Sequence, residues 1–149
     1  MRAPLVLVAA VVLVACSETA PPPPAPEPVQ AAELGGVDLN APVRVLGTEP
    51  FWAVTIDGDG LVYSGVDRPE QRAPNSGPEM QGGVAVWSGE TDQGQILTVT
   101  VMATECSDGM SDRTYPLTAR VQIGEESLNG CAASVDFVMN TDEQGRPRA

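Results

Sequence analysis

The sequence predicts an all-β domain, a small antiparallel β-barrel or sandwich of about seven or eight strands with one disulfide. Three observations carry that expectation. Apolar residues alternate with polar ones at period two in short runs, Gly, Pro, Asn and Asp punctuate the runs, and no segment of ten or more residues sustains a 3.6-residue period. Closing such a sheet on itself removes the exposed edges that short strands would otherwise leave. The chain has 149 residues, room for about one domain.

The charge balance narrows the function. Twenty acidic residues face eight basic ones, all Arg, for a net charge of −12, and there is no His. A polyanion repels nucleic-acid phosphates and anionic headgroups, so nucleic acid is excluded as a partner. Without imidazole, histidine-dependent triads and histidine metal sites are excluded too, and catalysis becomes a minor expectation.

Met1 to Pro4 carry one positive charge, and Leu5 to Ala15 follow as eleven uninterrupted apolar residues. That is short of the ~20 needed to cross a bilayer but fits the apolar core of a secretory signal peptide. The run ends in Leu13-Val14-Ala15-Cys16, which resembles the lipobox of bacterial lipoproteins. The resemblance implies that residues 1–15 are removed and that Cys16 becomes an acylated N-terminus, held stably because more than one acyl chain is attached. By the same resemblance, Ser17 in place of Asp points to the outer membrane, facing the periplasm. Residues 16–42 read as a linker. Pro21 to Pro28 place six prolines in eight residues, a polyproline II stalk of about 3.1 Å per residue, roughly 25 Å in all. Val29 to Pro42 show no periodicity and extend the linker.

The β domain is expected over residues 43–140. Trp52, Val54 and Ile56 share one face opposite Ala53, Thr55 and Asp57, and Asp57-Gly58-Asp59-Gly60 supplies turn chemistry before Leu61 to Val66, so residues 51–66 read as a hairpin. Further strands are expected at Val84 to Ser88, Ile96 to Ala103, Ala119 to Ile123 and Ala133 to Met139. Arg68 to Gly83, with three prolines and three glycines, reads as a surface loop, and residues 141–149 as a disordered tail.

With Cys16 acylated, Cys106 and Cys131 remain as an even pair, which an oxidising compartment joins as a disulfide. A redox-active dithiol is the alternative, but no C-x-x-C spacing occurs and no Lys or His stands near to lower a thiol pKa.

Two stretches are too particular to be filler: Leu46-Gly47-Thr48-Glu49-Pro50-Phe51-Trp52, and Cys106-Ser107-Asp108-Gly109-Met110-Ser111-Asp112-Arg113-Thr114-Tyr115-Pro116. With Leu128-Asn129-Gly130-Cys131, they resemble a family of small, largely uncharacterised proteobacterial envelope lipoproteins whose signature is roughly G-x-E-P-F-W, C-x-D-G-M-S-D-x-x-Y-P and G-C. The resemblance covers about residues 43–139. It implies a periplasm-facing β domain with the two motif cysteines paired, similar in style to META-type and lysozyme-inhibitor-type modules, and no particular activity.

Glu49, Trp52, Asp108, Asp112, Arg113 and Tyr115 are the candidate binding surface. Phe51 and Trp52 alternate across the sheet, which sends one to the core and leaves the other beside Glu49 to line a concave mouth; Trp87 poses the same choice. Glu105, Asp108 and Asp112 could chelate Ca²⁺, but their spacing does not follow the D-x-D-x-D-G loop with its terminal Glu. A turn begun by Asp108, with Gly109 at positive φ and Ser111 or Asp112 capping a short helical turn, needs fewer assumptions. No metal and no cofactor is expected. The leading functional expectation is a monomeric, membrane-anchored, non-catalytic binding or envelope-maintenance module for an envelope protein or small ligand. The alternatives are an inhibitor of c-type lysozyme, drawn by opposite charge, and a carboxylate-based cell-wall hydrolase.

Overall fold

The computed structural model describes residues 32–148. The signal segment, Cys16, the proline stalk and Ala149 lie outside the described residues. The strands are β1 (Glu33–Leu34), β2 (Val37–Asp38), β3 (Val43–Thr48), β4 (Phe51–Ile56), β5 (Leu61–Gly65), β6 (Arg68–Ala73) and β7 (Glu79–Gln81). They are followed by β8 (Val84–Glu90), β9 (Ile96–Met102), β10 (Cys106–Ser107), β11 (Thr114–Tyr115), β12 (Leu117–Ile123) and β13 (Glu126–Ser134), and by one short helix, α1 (Val135–Asn140). Nine strands form one antiparallel sheet in the order β6-β5-β4-β3-β13-β12-β9-β8-β7, curled into a half-barrel. The all-β expectation and the Cys106–Cys131 disulfide are both met.

Period two decides which side chains fill the half-barrel. Val43 and Val45 of β3, Trp52, Val54 and Ile56 of β4, and Leu61 and Tyr63 of β5 all point inward and are buried. Across the sheet, Leu97, Val99 and Val101 of β9 do the same. The register stacks them in rows: Val45 faces Val54, which faces Tyr63, while Trp87 faces Val99, which faces Val121. Each fully buried side chain of this size contributes about 1.5–3 kcal/mol of transfer free energy, so the rows also enforce the register.

The sheet's two ends approach where β6 meets the turn after β8. There the Asp92 amide donates to the Arg72 carbonyl at 2.8 Å, and Asp92 Oδ1 accepts from the Arg72 amide at 3.0 Å. Behind them Gln71, buried, donates to Gln95 Oε1 at 2.7 Å and accepts from Thr91 Oγ1 at 2.8 Å. These bonds cover much of an edge that would otherwise face water.

Four expectations need correction. Residues 33–38 are not linker: Gly35 and Gly36 at positive φ turn β1 back onto β2, and Leu34, Val37 and Leu39 join the core. Residues 68–83 are not a loop but contain β6 and β7. Pro69 is tolerated because β6 pairs only with β5 and the register shifts there, leaving no ladder bond for the missing amide. The last strand stops at Ser134, whose hydroxyl accepts from the Phe137 amide at 3.0 Å and starts α1, with Asp136 in the first turn. The segment after residue 140 is folded back on itself: the Asp142 amide donates to the Arg146 carbonyl at 2.8 Å, and Thr141 bridges Pro147. The strand total accordingly exceeds the about seven or eight that alternation alone predicts.

Trp52, an inward residue of β4, lies against two glycines that come from separate stretches of sequence. A Cβ on Gly47, its cross-strand partner, would overlap the indole, and one on Gly130 would overlap the Leu46 carbonyl and stand 2.9 Å from Trp52 Cζ2. Gly47→Ala and Gly130→Ala are therefore expected to destabilise the fold by about 2–3 kcal/mol each. Gly83→Ala, with nothing within 4 Å, should stay within about 0.5 kcal/mol in the same urea denaturation series.

Candidate functional site

The chain between β9 and β12 forms a strap over the outer face of the sheet. β10 and β11 pair as Cys106 with Tyr115 and Ser107 with Thr114, and the Cys106–Cys131 disulfide, Cα to Cα 5.5 Å, ties the strap to β13. Alternation along β13 makes this possible, because Leu128 and Ala132 face the main core while Cys131 and Ala133 face outward. A second small core results. Tyr115, Cys131 and Ala133 are buried beneath Leu46, Cys106, Phe137 and Val138, and the rings of Tyr115 and Phe137 meet edge to face at 6.1 Å.

Asp108 organises the strap. Its Oδ1 accepts from the amides of Met110 at 2.9 Å and Ser111 at 2.8 Å, and its Oδ2 accepts from Ser111 Oγ at 2.8 Å and Tyr115 Oη at 3.0 Å. Gly109 takes a φ of +73°, as a turn opened by Asp108 requires. Burial pushes the carboxyl's pKa up, but the amides of Ser111 and Met110 and the hydroxyls of Ser111 and Tyr115 outweigh it and hold it below the usual carboxylate range. Burial, reinforced by the Asp108 carboxylate, raises the Tyr115 phenol against the opposing pull of Arg113, so Tyr115 stays a donor. Arg113 lies 5.7 Å from the Tyr115 ring centre, donates to the tyrosine oxygen at 3.2 Å, and reaches the carbonyls of Thr141 and Asp142 at 2.9 and 2.8 Å. One arginine thus fastens the C-terminal segment to the strap. The Thr48 hydroxyl donates to the Asp108 carbonyl at 2.9 Å and so fastens the strap to the end of β3.

The structure brings three of the six candidate residues, Asp108, Arg113 and Tyr115, into one network, and their polar groups bond one another. Glu49 is exposed in the β3–β4 turn beside Thr48, and Asp112 is exposed on the strap; neither side chain has a hydrogen-bond partner among the described residues. Trp52 is the core member of its pair, while Phe51 stays 53% exposed. No helical turn forms at Ser111 or Asp112: Ser111 Oγ accepts from the Arg113 amide at 3.3 Å, but the chain enters β11 at Thr114 instead of continuing as a helix.

Beside the strap, where α1 stops covering the sheet, lies a groove of about 480 Å³ over β3, β4 and β5. Leu46, Phe51, Trp52, Ala53, Val66 and Val138 line it, with Arg44 among them. Reading the sequence from one end to the other misses Arg44, because an arginine between two valines at period two is the ordinary outward position of a strand. Its guanidinium donates to Thr55 Oγ1 at 2.5 Å. Among the described residues it pairs with no carboxylate, whereas Arg68, Arg72 and Arg146 each do. Burial lowers its pKa. Among the described residues no three acidic or cysteine side chains gather as metal ligands.

No protein-family model, no curated protein and no solved structure matches the chain.

Replacing Cys106 and Cys131 together by Ser opens a link between residues 25 apart and should cost about 3 kcal/mol in chemical denaturation. Because Asp108 has a folded pKa below its unfolded one, its bonds stabilise the strap above about pH 4 and are lost as the pH falls further. Asp108→Asn should therefore lower stability at neutral pH by about 1 kcal/mol and flatten the acid limb of a melting-temperature profile.

Proposed function

We propose that the chain is a lipid-anchored lipoprotein facing the periplasm that binds a ligand without transforming it, and that its binding place is the groove over β3, β4 and β5. The observation that carries this reading is Arg44: a half-buried cation without a carboxylate partner among the described residues, set beside apolar side chains. Keeping a desolvated charge unpaired costs stability, so a residue of this kind is better explained by a partner from outside than by the fold. Mostly apolar walls with a few placed polar groups, here Arg44, Thr48 and Ser64, are also the ordinary make-up of a small-molecule site. Phe51 and Val66, 53% and 57% exposed, form part of those walls.

The lipobox-like Leu13-Val14-Ala15-Cys16 and the six prolines after it support an anchor followed by a spacer. The hydrolase alternative is less well supported. Asp108 is held as a stable anion by four donors, the opposite of what a general acid needs. Inhibition of c-type lysozyme draws on the net charge of −12 alone.

Two measurements test the proposal. Intact-mass analysis of material extracted from membranes should find residues 1–15 removed and acyl mass on Cys16; an unmodified Cys16 would refute the anchor. Native mass spectrometry of the mature chain with Cys16→Ser, after exposure to an envelope extract, should show a retained small species. Phe51→Asp should abolish that retention, and a bare wild-type mass would refute the binding role.

A further inference from the structure

We propose, building on the binding reading above, that the groove takes a free fatty acid, its carboxylate on Arg44 and its chain along Leu46, Phe51, Val66 and Val138.

The floor of the groove argues first. β3 is paired on both sides, by β13 and β4; β4 by β3 and β5; β5 by β4 and β6. Each of these strands lies inside the sheet, so the floor offers no continuous edge for a further strand and presents side chains together with Gly47 and Gly65. An extended peptide laid there would bring backbone amides and carbonyls with no ladder to join, and each would lose water without compensation. An aliphatic chain carries no such groups.

The polar side of the groove argues next. Arg44 spends one N–H on Thr55 and keeps the rest of a planar, permanently charged fork. That fork matches a carboxylate in geometry and in unit charge. Its desolvation, which lowers its pKa, has no acidic counterpart among the described residues, and a bound anion would supply one. The net charge of −12 slows the approach of an anion, but screening over about 8 Å at physiological salt leaves the local guanidinium in control once the ligand arrives.

The remaining wall is suited to a chain. Phe51 and Val66 are more than half exposed and adjacent, the Val66 amide donating to the Phe51 carbonyl at 3.0 Å. Covering them removes apolar surface from water at about 25 cal/mol per Å². The groove also lies open along its length, so a chain longer than the site can run out of it.

Calorimetric titration of the mature chain with Cys16→Ser, without detergent, decides the matter. Sodium dodecanoate, below its micelle-forming concentration and at about neutral pH, should bind saturably, and dodecanol and dodecylammonium at least about tenfold more weakly. Arg44→Gln should weaken dodecanoate about tenfold or more, leave dodecanol unchanged, and be partly rescued by Arg44→Lys. Equal affinity for dodecanoate and dodecanol in the wild-type chain overturns the inference whatever the variants do. So does binding that appears only with phosphatidylglycerol vesicles, which would make the partner a membrane surface. Absence of dodecanoate binding beside a species retained in native mass spectrometry removes the fatty acid and keeps the binding role. Absence of both removes the two together.

Discussion

The half-barrel depends on one short ladder. The sheet consists of two meanders, β3 to β6 on one side and β7 to β9 with β12 and β13 on the other, and the pairing of β13 with β3 is the ladder that joins them. It runs over four register pairs, from Cys131 with Leu46 to Ser134 with Val43. Four pairs are few to hold two halves of a curled sheet, and the molecule reinforces the junction from both sides. Inside, the Trp52 indole rests in a space that Gly47 and Gly130 leave by having no Cβ. Outside, the disulfide reaches Cys131, and Thr48 holds the Asp108 carbonyl across the top of β3. The three sequence blocks that resemble an envelope lipoprotein signature therefore meet at this junction. Most of their unusual residues serve the joint: two glycines for clearance, a tryptophan to fill it, and an aspartate to shape the strap that clamps it.

That division of labour explains which parts were legible in the sequence. Strands β4, β5, β8, β9 and β12 bury one face more deeply than the other, so alternation reveals them directly. The disulfide follows from counting cysteines. β1 and β2 escape because two residues each is too short for any period, and their burial comes from three scattered side chains around Gly35-Gly36. β6 escapes because Pro69, Glu70 and Arg72 look like loop chemistry, and they are tolerated only on an edge with a register shift. The segment 133–139 has a true period-two pattern, yet Ser134 caps a helix there. That cap costs little because Phe137 and Val138 still reach the outer core from a helical turn.

The candidate site shows the same limit from the other side. Asp108, Arg113 and Tyr115 attract notice because polar and aromatic residues crowd one motif, but in three dimensions they satisfy each other. Arg44 attracts none, since a single arginine in a strand is ordinary in sequence; its meaning comes from what surrounds it across β3, β4, β5 and α1. The seven arginines among the described residues can be sorted by partner. Three meet carboxylates, two hold carbonyls of the C-terminal segment, one meets a serine hydroxyl at the surface, and Arg44 faces the groove. Only the folded chain makes that difference visible.

The two fastenings of the fold answer to different solution variables. The strap is braced through an ionised carboxylate, whereas the buried bonds that draw the ends of the sheet together run through the amides of Gln71 and Gln95 and the hydroxyl of Thr91, none of which changes charge with pH. Acidification therefore loosens the strap while the amide and hydroxyl bonds of Gln71, Gln95 and Thr91 keep their form. The strap on the outer face and the closure between the two ends of the sheet are chemically uncoupled, so an acidic surrounding acts on the outer layer without unmaking the packed half-barrel beneath it.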